Sequence, residues 1–265
     1  MKTESQNSRL ERFGFLHERG SVHMARTMML SELSSLLAYV SESSSASDSY
    51  ARAIKEDNCL GKRTGHARSL SMKYLRALYA LDPSKTVFRS LRYFWQRDPV
   101  GRPMTACLCA YVRDPILRTS APFVLKLTDG QPYSREALEE YLEKQFPERF
   151  SKATLTSTAQ NLASTWTQSG HLAGRAKKIR LRATATSGSV AYALFLGFLT
   201  GARGEILFET EYTKLLDCSF EMAVEFAEGA SRRGWIVFKR VGNVIEVLFP
   251  NLLTEKEMEW IREQN

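Results

Sequence analysis

Between Arg149 and Gly204 the chain carries no Asp or Glu, while Arg149, Lys152, Arg175, Lys177, Lys178, Arg180, Arg182 and Arg203 all fall there. A stretch this long without carboxylates has no internal ion pairs to form. Its cations are therefore expected to be open to phosphate. Within it, the periodicity of 152–168 turns Thr154, Thr156, Ser157, Gln160, Asn161, Ser164, Thr165 and Gln168 outward. Short hydroxyls and amides suit close approach to phosphates and base edges, and Asn or Gln can pair with adenine. A solvated polar helix is the alternative reading.

A second basic group is Lys62, Arg63, Arg68, Lys73 and Arg76, continued by Lys85, Arg89, Arg92 and Arg97 with Tyr93 among them. Phosphate contacts of this kind set affinity and salt dependence rather than sequence choice. A plain charged face fits these residues as well.

Other chemistry is thin. The chain has no P-loop, GxSxG or HExxH motif. Its histidines, His17, His23, His66 and His171, are scattered. Glu209, Glu211 and Lys214, read on a strand, faintly suggest the acidic-plus-lysine array of a metal-dependent nuclease, but no upstream Asp stands in register. Cys59, Cys107, Cys109 and Cys218 form no CxxC pair and are expected as buried thiols. No cofactor and no metal are expected.

The elements that would hold these residues read as follows. Residues 1–22 mix both charges without periodicity and are expected to be a mobile leader, so that a start at Met24 instead of Met1 would cost the fold little. Met28, Met29, Leu33, Leu36, Leu37 and Val40 predict a helix over 25–40, ended by the Ser-rich stretch 41–47. A short helix follows at 48–55, then a longer one at 64–81 and helices at 84–96 (capped by Ser84) and 103–112. The stretch 116–132, with Pro122, Asp129-Gly130 and Pro132, reads as a linker with some strand character, placing a boundary near 130.

Beyond it, helices are predicted at 134–145 and 152–168, the latter burying Leu155, Ala159, Leu162 and Trp166. A strand over 178–186 follows, with Ile179, Leu181 and Ala183 on its apolar side. An apolar helix covers 190–200, and 208–216 is ambiguous between helix and strand. A helix over 219–231 precedes a hairpin turning at Gly242-Asn243. A last helix, 255–263, opens with a Thr254–Glu257 capping box.

Helix, turn, helix and then a hairpin is the order of a winged helix, whose second helix can enter the major groove while the hairpin reaches backbone or minor groove. The pattern fits once over 131–204 and again, in its latter half, over 205–265. Residues after 205 hold more acids than bases, which suits a protein partner for that part.

With 265 residues, a net charge of +8 and a sequence pI near 9.3, the chain can bury one large or two modest cores and attracts polyanions. The longest apolar run, Val190 to Leu199, is about half of the roughly 20 residues a membrane span needs. The N-terminus lacks the apolar core of a secretion signal. The expectation is a soluble, cytoplasmic protein with no membrane partner.

Two stretches resemble a known family. Asn58-Cys-Leu-Gly-Lys-Arg-Thr-Gly-His-Ala-Arg68, running on to Leu78-Tyr-Ala-Leu-Asp-Pro83, resembles the early segment of the BrxA-like proteins of bacterial BREX anti-phage systems. Thr154–Trp166 followed by Gly170-His-Leu172 is similar to that family's later helix and its exit, with His171 where an aromatic usually stands. Together they cover about a quarter of the chain, and neither contains a chemical motif. The resemblance implies a small, non-enzymatic, DNA-binding component of a phage-defence island. It carries DNA contact onto Lys62, Arg63, Arg68 and helix 152–168. The chain departs from the pattern in running on through a whole extra hairpin unit.

These readings give a mainly α protein with minor β: a leader over 1–22, a helical domain over 23–130 and winged-helix-like units over 131–204 and 205–265. The expected partner is double-stranded DNA, together with other subunits of a defence complex. The contacts would be Lys62, Arg63, Arg68, Lys73, Arg76, Lys152, Thr154, Thr156, Gln160, Asn161, Arg175, Lys177, Lys178, Arg180 and Arg182. A scaffold that recruits subunits without touching nucleic acid is the main rival, and a metal-dependent nuclease the lesser one.

Overall fold

A computed structural model describes residues 6–16, 20–42, 46–242 and 244–262. Met1, His17, the middle of the Ser-rich stretch, Asn243 and Glu263 lie outside the described residues. The chain is mainly helical with two small antiparallel sheets. Its buried apolar side chains form one cluster running from Leu10 to Ile261.

The first half is a helical assembly of α1 (Gln6–Phe13), α2 (Leu30–Tyr39), α3 (Ser47–Lys55), α4 (Gly65–Tyr79), α5 (Thr86–Arg97) and α6 (Arg102–Tyr111). The N-terminal residues expected as a leader are instead part of the core. Leu10, Phe13 and Phe15 are buried, and Phe13 meets Trp260 edge-on at 5.7 Å. Their apolar side chains are too few to show a period, yet each finds a place between helices.

The helix expected from residue 25 begins only at Leu30, because Met29 takes a left-handed φ of 52° that cannot continue from helix. α4 ends where Ala80 and Leu81 both turn left-handed, ahead of Asp82-Pro83. α5 starts at Thr86 behind Lys85, so Ser84 does not cap it.

The stretch read as a linker is a helix, α7 (Pro115–Lys126). Proline at the first helical position loses no bond, and Asp114 caps the turn by accepting from the Ile116 and Leu117 amides at 3.1 Å. Those favourable ends outweigh Pro122 inside. Next come β1 (Pro132–Tyr133), α8 (Arg135–Gln145), α9 (Lys152–Gln168), β2 (Leu172–Ala173) and β3 (Lys178–Arg180). The strands lie in the order β1-β3-β2, all antiparallel. Helix, strand, helix, helix and hairpin, with the last strand in the middle, is the arrangement of a winged helix.

α7 therefore belongs with the elements after the expected boundary near 130. Trp166 on α9 donates its indole N–H to Ser120 Oγ on α7 at 3.0 Å, and Phe123 stacks on Tyr141 of α8 at 5.5 Å.

The order repeats. α10 (Ser187–Leu199), a 3₁₀ turn (Gly204–Glu209), α11 (Glu211–Lys214) and α12 (Phe220–Arg232) precede the hairpin β4 (Val237–Val241) and β5 (Val244–Leu248). Thr186 and Ser189 cap α10 reciprocally. The stretch ambiguous in sequence is thus helical. α13 (Glu255–Arg262) closes the chain through the expected capping box. Its Glu257 also reaches back to Thr86 and Arg89 of α5. No helix among the described residues is long and apolar enough to cross a membrane.

Candidate nucleic-acid interface

α9 is the second helix of the pair that precedes the β2–β3 hairpin, the one expected from the sequence to enter a groove. Ser151 caps it by accepting from the Thr154 amide, and Ser151 also bonds the Thr154 hydroxyl at 2.9 Å. At 100° per residue its side chains divide into three faces. Leu155, Ala159, Leu162 and Trp166 face the core as expected. A second face, with Asn161, Thr165 and Gln168, is already occupied by the chain's own N-terminal segment. The third is open: Lys152 and Gln160 are exposed, and Thr156, Ser164 and Thr167 are partly so.

The occupied face overturns three expected outward positions, and one of them, Asn161, was a site residue. A 3₁₀ turn, Val22–Met24, and the residues up to Leu30 run along α9. Asn161 donates to His23 O at 3.0 Å, Thr165 Oγ1 accepts from the Met28 amide at 2.9 Å, and Gln168 accepts from Leu30 N at 3.1 Å. Asn161 is therefore a structural clamp. Helical periodicity marks these residues as non-core, but only tertiary packing decides between solvent and a neighbouring segment.

The clamp centres on His23. Its Nδ1 lies 2.9 Å from Asp114 Oδ2, and its Nε2 lies 2.9 Å from Thr165 Oγ1. Ser21 also donates to Asp114 at 2.6 Å. Burial alone would raise the Asp114 pKa, but His23, Ser21 and the Leu117 amide outweigh it and hold the carboxyl well below its usual range. An Asp–His–Thr relay of this form resembles nucleophile activation on paper. His23 and Thr165 are fully buried, so no substrate reaches it.

The wing is the turn between β2 and β3. Arg175 and Lys177 at its tip are exposed, as is Arg182 beyond it, and none forms an ion pair among the described residues. Lys178 bends back to donate to Thr167 Oγ1 at 2.7 Å and Gly174 O at 3.1 Å, and burial lowers its pKa. Wing and helix enclose a cleft bordered by Tyr133, Gln160, Ser164, Arg175 and Lys177, with Glu136, paired to Arg135 at 2.8 Å, on the α8 side.

Arg180 is the clearest correction. It is 3 % exposed and pairs with Asp217 at 2.8 Å, while its other bonds go to Val124 O, His171 O and Leu181 O. The strand thus runs in the opposite phase to the one expected: Arg180 points inward while Ile179 and Leu181 are 41 % and 38 % exposed. A stretch free of acids in sequence is not free of them in space. Likewise Glu136, Glu139, Glu140 and Glu143 of α8 border Lys152.

The early cations divide in the same way. Arg63, Lys73 and Arg76 are exposed and without ion pairs among the described residues. Lys62 is paired with Glu32 at 3.0 Å, and Arg68 is half-buried. Arg89 is held by Glu257, and Arg92 is buried, donating to Val40 O and Ser41 O. Arg97 stacks on Tyr93 at 3.6 Å, and Arg203 on Phe198 at 3.9 Å.

α4 flanks the same N-terminal segment as α9: Tyr79 donates to Met28 O at 2.5 Å, and Arg26 lies over Tyr74 at 5.5 Å. Arg26 is exposed beside α9 and was invisible in the sequence, where no period or motif marks it.

The other candidates resolve plainly. Glu209, Glu211 and Lys214 lie on a 3₁₀ turn and a short helix, not on a strand, and Glu211 accepts from Tyr111 at 2.7 Å. Among the described residues no cluster of three His, Cys, Asp or Glu side chains could hold a metal. Cys107 and Cys109 are buried, their thiols pushed up to about 12 and about 11, whereas Cys59 and Cys218 are only partly buried.

Compared with known proteins, the chain matches no family model and no curated protein.

Proposed function

We propose that this chain is a non-enzymatic DNA-binding protein that holds duplex DNA mainly through phosphates. One observation carries the reading: the open strip of α9 (Thr156, Gln160, Ser164) bears no carboxylate of its own and faces a wing whose Arg175 and Lys177 are exposed and unpaired among the described residues, while the acids of α8 gather toward Lys152 and the far edge of the cleft. Arg182, and Arg63, Lys73 and Arg76 on the α4 side, extend the basic surface. The resemblance to BrxA-like proteins supports a setting in bacterial phage defence, as an accessory subunit acting in the cytoplasm.

Duplex affinity measured by fluorescence anisotropy across about 50–200 mM salt tests this. Arg175, Lys177 and Arg182 together predict a slope of log K against log salt of about −3. R175E/K177E should flatten that slope by about 2 without changing the melting temperature. A wild-type affinity indifferent to salt overturns the proposal. Plasmid cleavage with magnesium or manganese would favour the nuclease reading instead.

The scaffold reading draws on α12, the counterpart of α9 in the second unit, whose exposed residues include Glu221, Met222, Glu225 and Glu228. Such a face repels phosphate and suits a protein. A scaffold keeps its partners in R175E/K177E, so co-purification of those partners separates the two.

A further inference from the structure

The hairpin of the second unit has an outer face that the described residues leave largely open, with Val237 half-buried at its base. β4 and β5 pair with Val237 opposite Leu248, Lys239 opposite Glu246 and Val241 opposite Val244 on that side. The alternate residues face inward, where Ile245 and Val247 are buried and Phe238 meets Phe208 at 6.2 Å. On the outer side Val241 is 80 % exposed, Val244 72 % and Leu248 44 %. Single exposed apolar residues are ordinary, but three on one sheet face in register are not. Between them Lys239 and Glu246 lie 3.2 Å apart.

We infer that this face pairs with the same face of a second copy of the chain. Charge complementarity favours that occupant. Stacked about a twofold axis parallel to the strands, β4 of one copy lies over β5 of the other. Lys239 then meets the second copy's Glu246, Val241 meets its Val244, and Val237 meets its Leu248, each contact occurring twice. A twofold axis across the strands would instead set Lys239 against Lys239. The pattern therefore selects one of the two face-to-face arrangements.

Three residues on each of two strands make a small patch, below the roughly 1,200 Å² of a standard interface, so the pairing is of the weak, transient kind. Self-pairing does not depend on DNA binding. Where that also holds, pairing couples two neighbouring copies on one duplex.

Sedimentation equilibrium of the full chain from about 5 µM to about 1 mM tests it. The weight-average mass should rise from 30.1 kDa toward that of a dimer. K239E, which sets a carboxylate against Glu246 both across the axis and within its own hairpin, should stay monomeric with an unchanged circular dichroism spectrum, and K239E/E246K should pair again. V241S/V244S should stay monomeric with an unchanged circular dichroism spectrum. A wild-type chain that is monomeric at 1 mM overturns the inference. So does association that persists in K239E, or a double swap that fails to restore it. DNA affinity of monomeric K239E, measured at nanomolar protein, reads the other proposal separately.

Discussion

Gln160 and Asn161 are neighbours on α9 with nearly the same chemistry, yet they do different work. One residue of helix rotates the side chain by about 100°, which carries Gln160 to the open strip and Asn161 under the N-terminal segment. Q160A should weaken duplex binding about tenfold, as expected for one base-edge or phosphate contact worth about 1–3 kcal/mol, with no change in melting temperature. N161A should do the reverse, lowering stability by about 1 kcal/mol in a urea titration and leaving affinity near wild type. Of the cations singled out by sequence, Arg175, Lys177 and Arg182 stand open as expected, while Arg180 and Lys62 are neutralised by Asp217 and Glu32. Neither acid is near its partner in the chain, so spacing along the sequence could not reveal either pairing.

The elements most legible in the sequence are those with caps and long apolar periods. α9 with Ser151, α8 with Ser134, and the hairpin around Gly242 all stand where their signals place them. The misread ones are short or locally ambiguous. α7 was hidden by its prolines and the N-terminal segment by its lack of period, while the strand expected over 178–186 is only Lys178–Arg180 and is turned over by its inward arginine. That segment makes the sharpest prediction at this scale. A chain starting at Met24 loses Phe13, Phe15, Val22 and His23, all buried. Each buried phenylalanine lost costs about 3–5 kcal/mol, against a total stability of about 5–15 kcal/mol for a typical domain. Residues 24–265 should be insoluble or melt at least about 15 °C below the full chain in a calorimetric scan. Full stability in that shortened chain would show that α1 and the 3₁₀ turn are dispensable.

Across the whole molecule, the wing strand is tied to the second unit at one joint. Arg180 pairs with Asp217, and His171, fully buried, has its Nε2 2.9 Å from Leu215 O and its Nδ1 2.8 Å from Ser169 Oγ. Burial lowers the His171 pKa to about 4, partly countered by Leu215 O and Asp217. Above about pH 6.5 the imidazole is neutral whether folded or unfolded and contributes no pH dependence. As the pH falls from about 6.5 to about 4, the unfolded chain takes up a proton that the folded one refuses. Stability drops over that window by up to about 1.4 kcal/mol per pH unit. Asp114, held below its usual range, adds a further loss once the pH falls through the ordinary carboxylate range. Urea midpoints from about pH 7 to about pH 4.5 should decline in the wild type and decline less in H171Q.

What the chain alone determined is local: a mainly helical protein, its capped helices, its second hairpin, and an excess of positive charge with a long interval free of acids. Those follow from side-chain period, capping chemistry and composition, which act between residues a few positions apart. Which cations remain available was decided in three dimensions. Asp217, Glu32 and the segment behind His23 come from distant parts of the chain, and only close packing brings them against Arg180, Lys62 and Asn161.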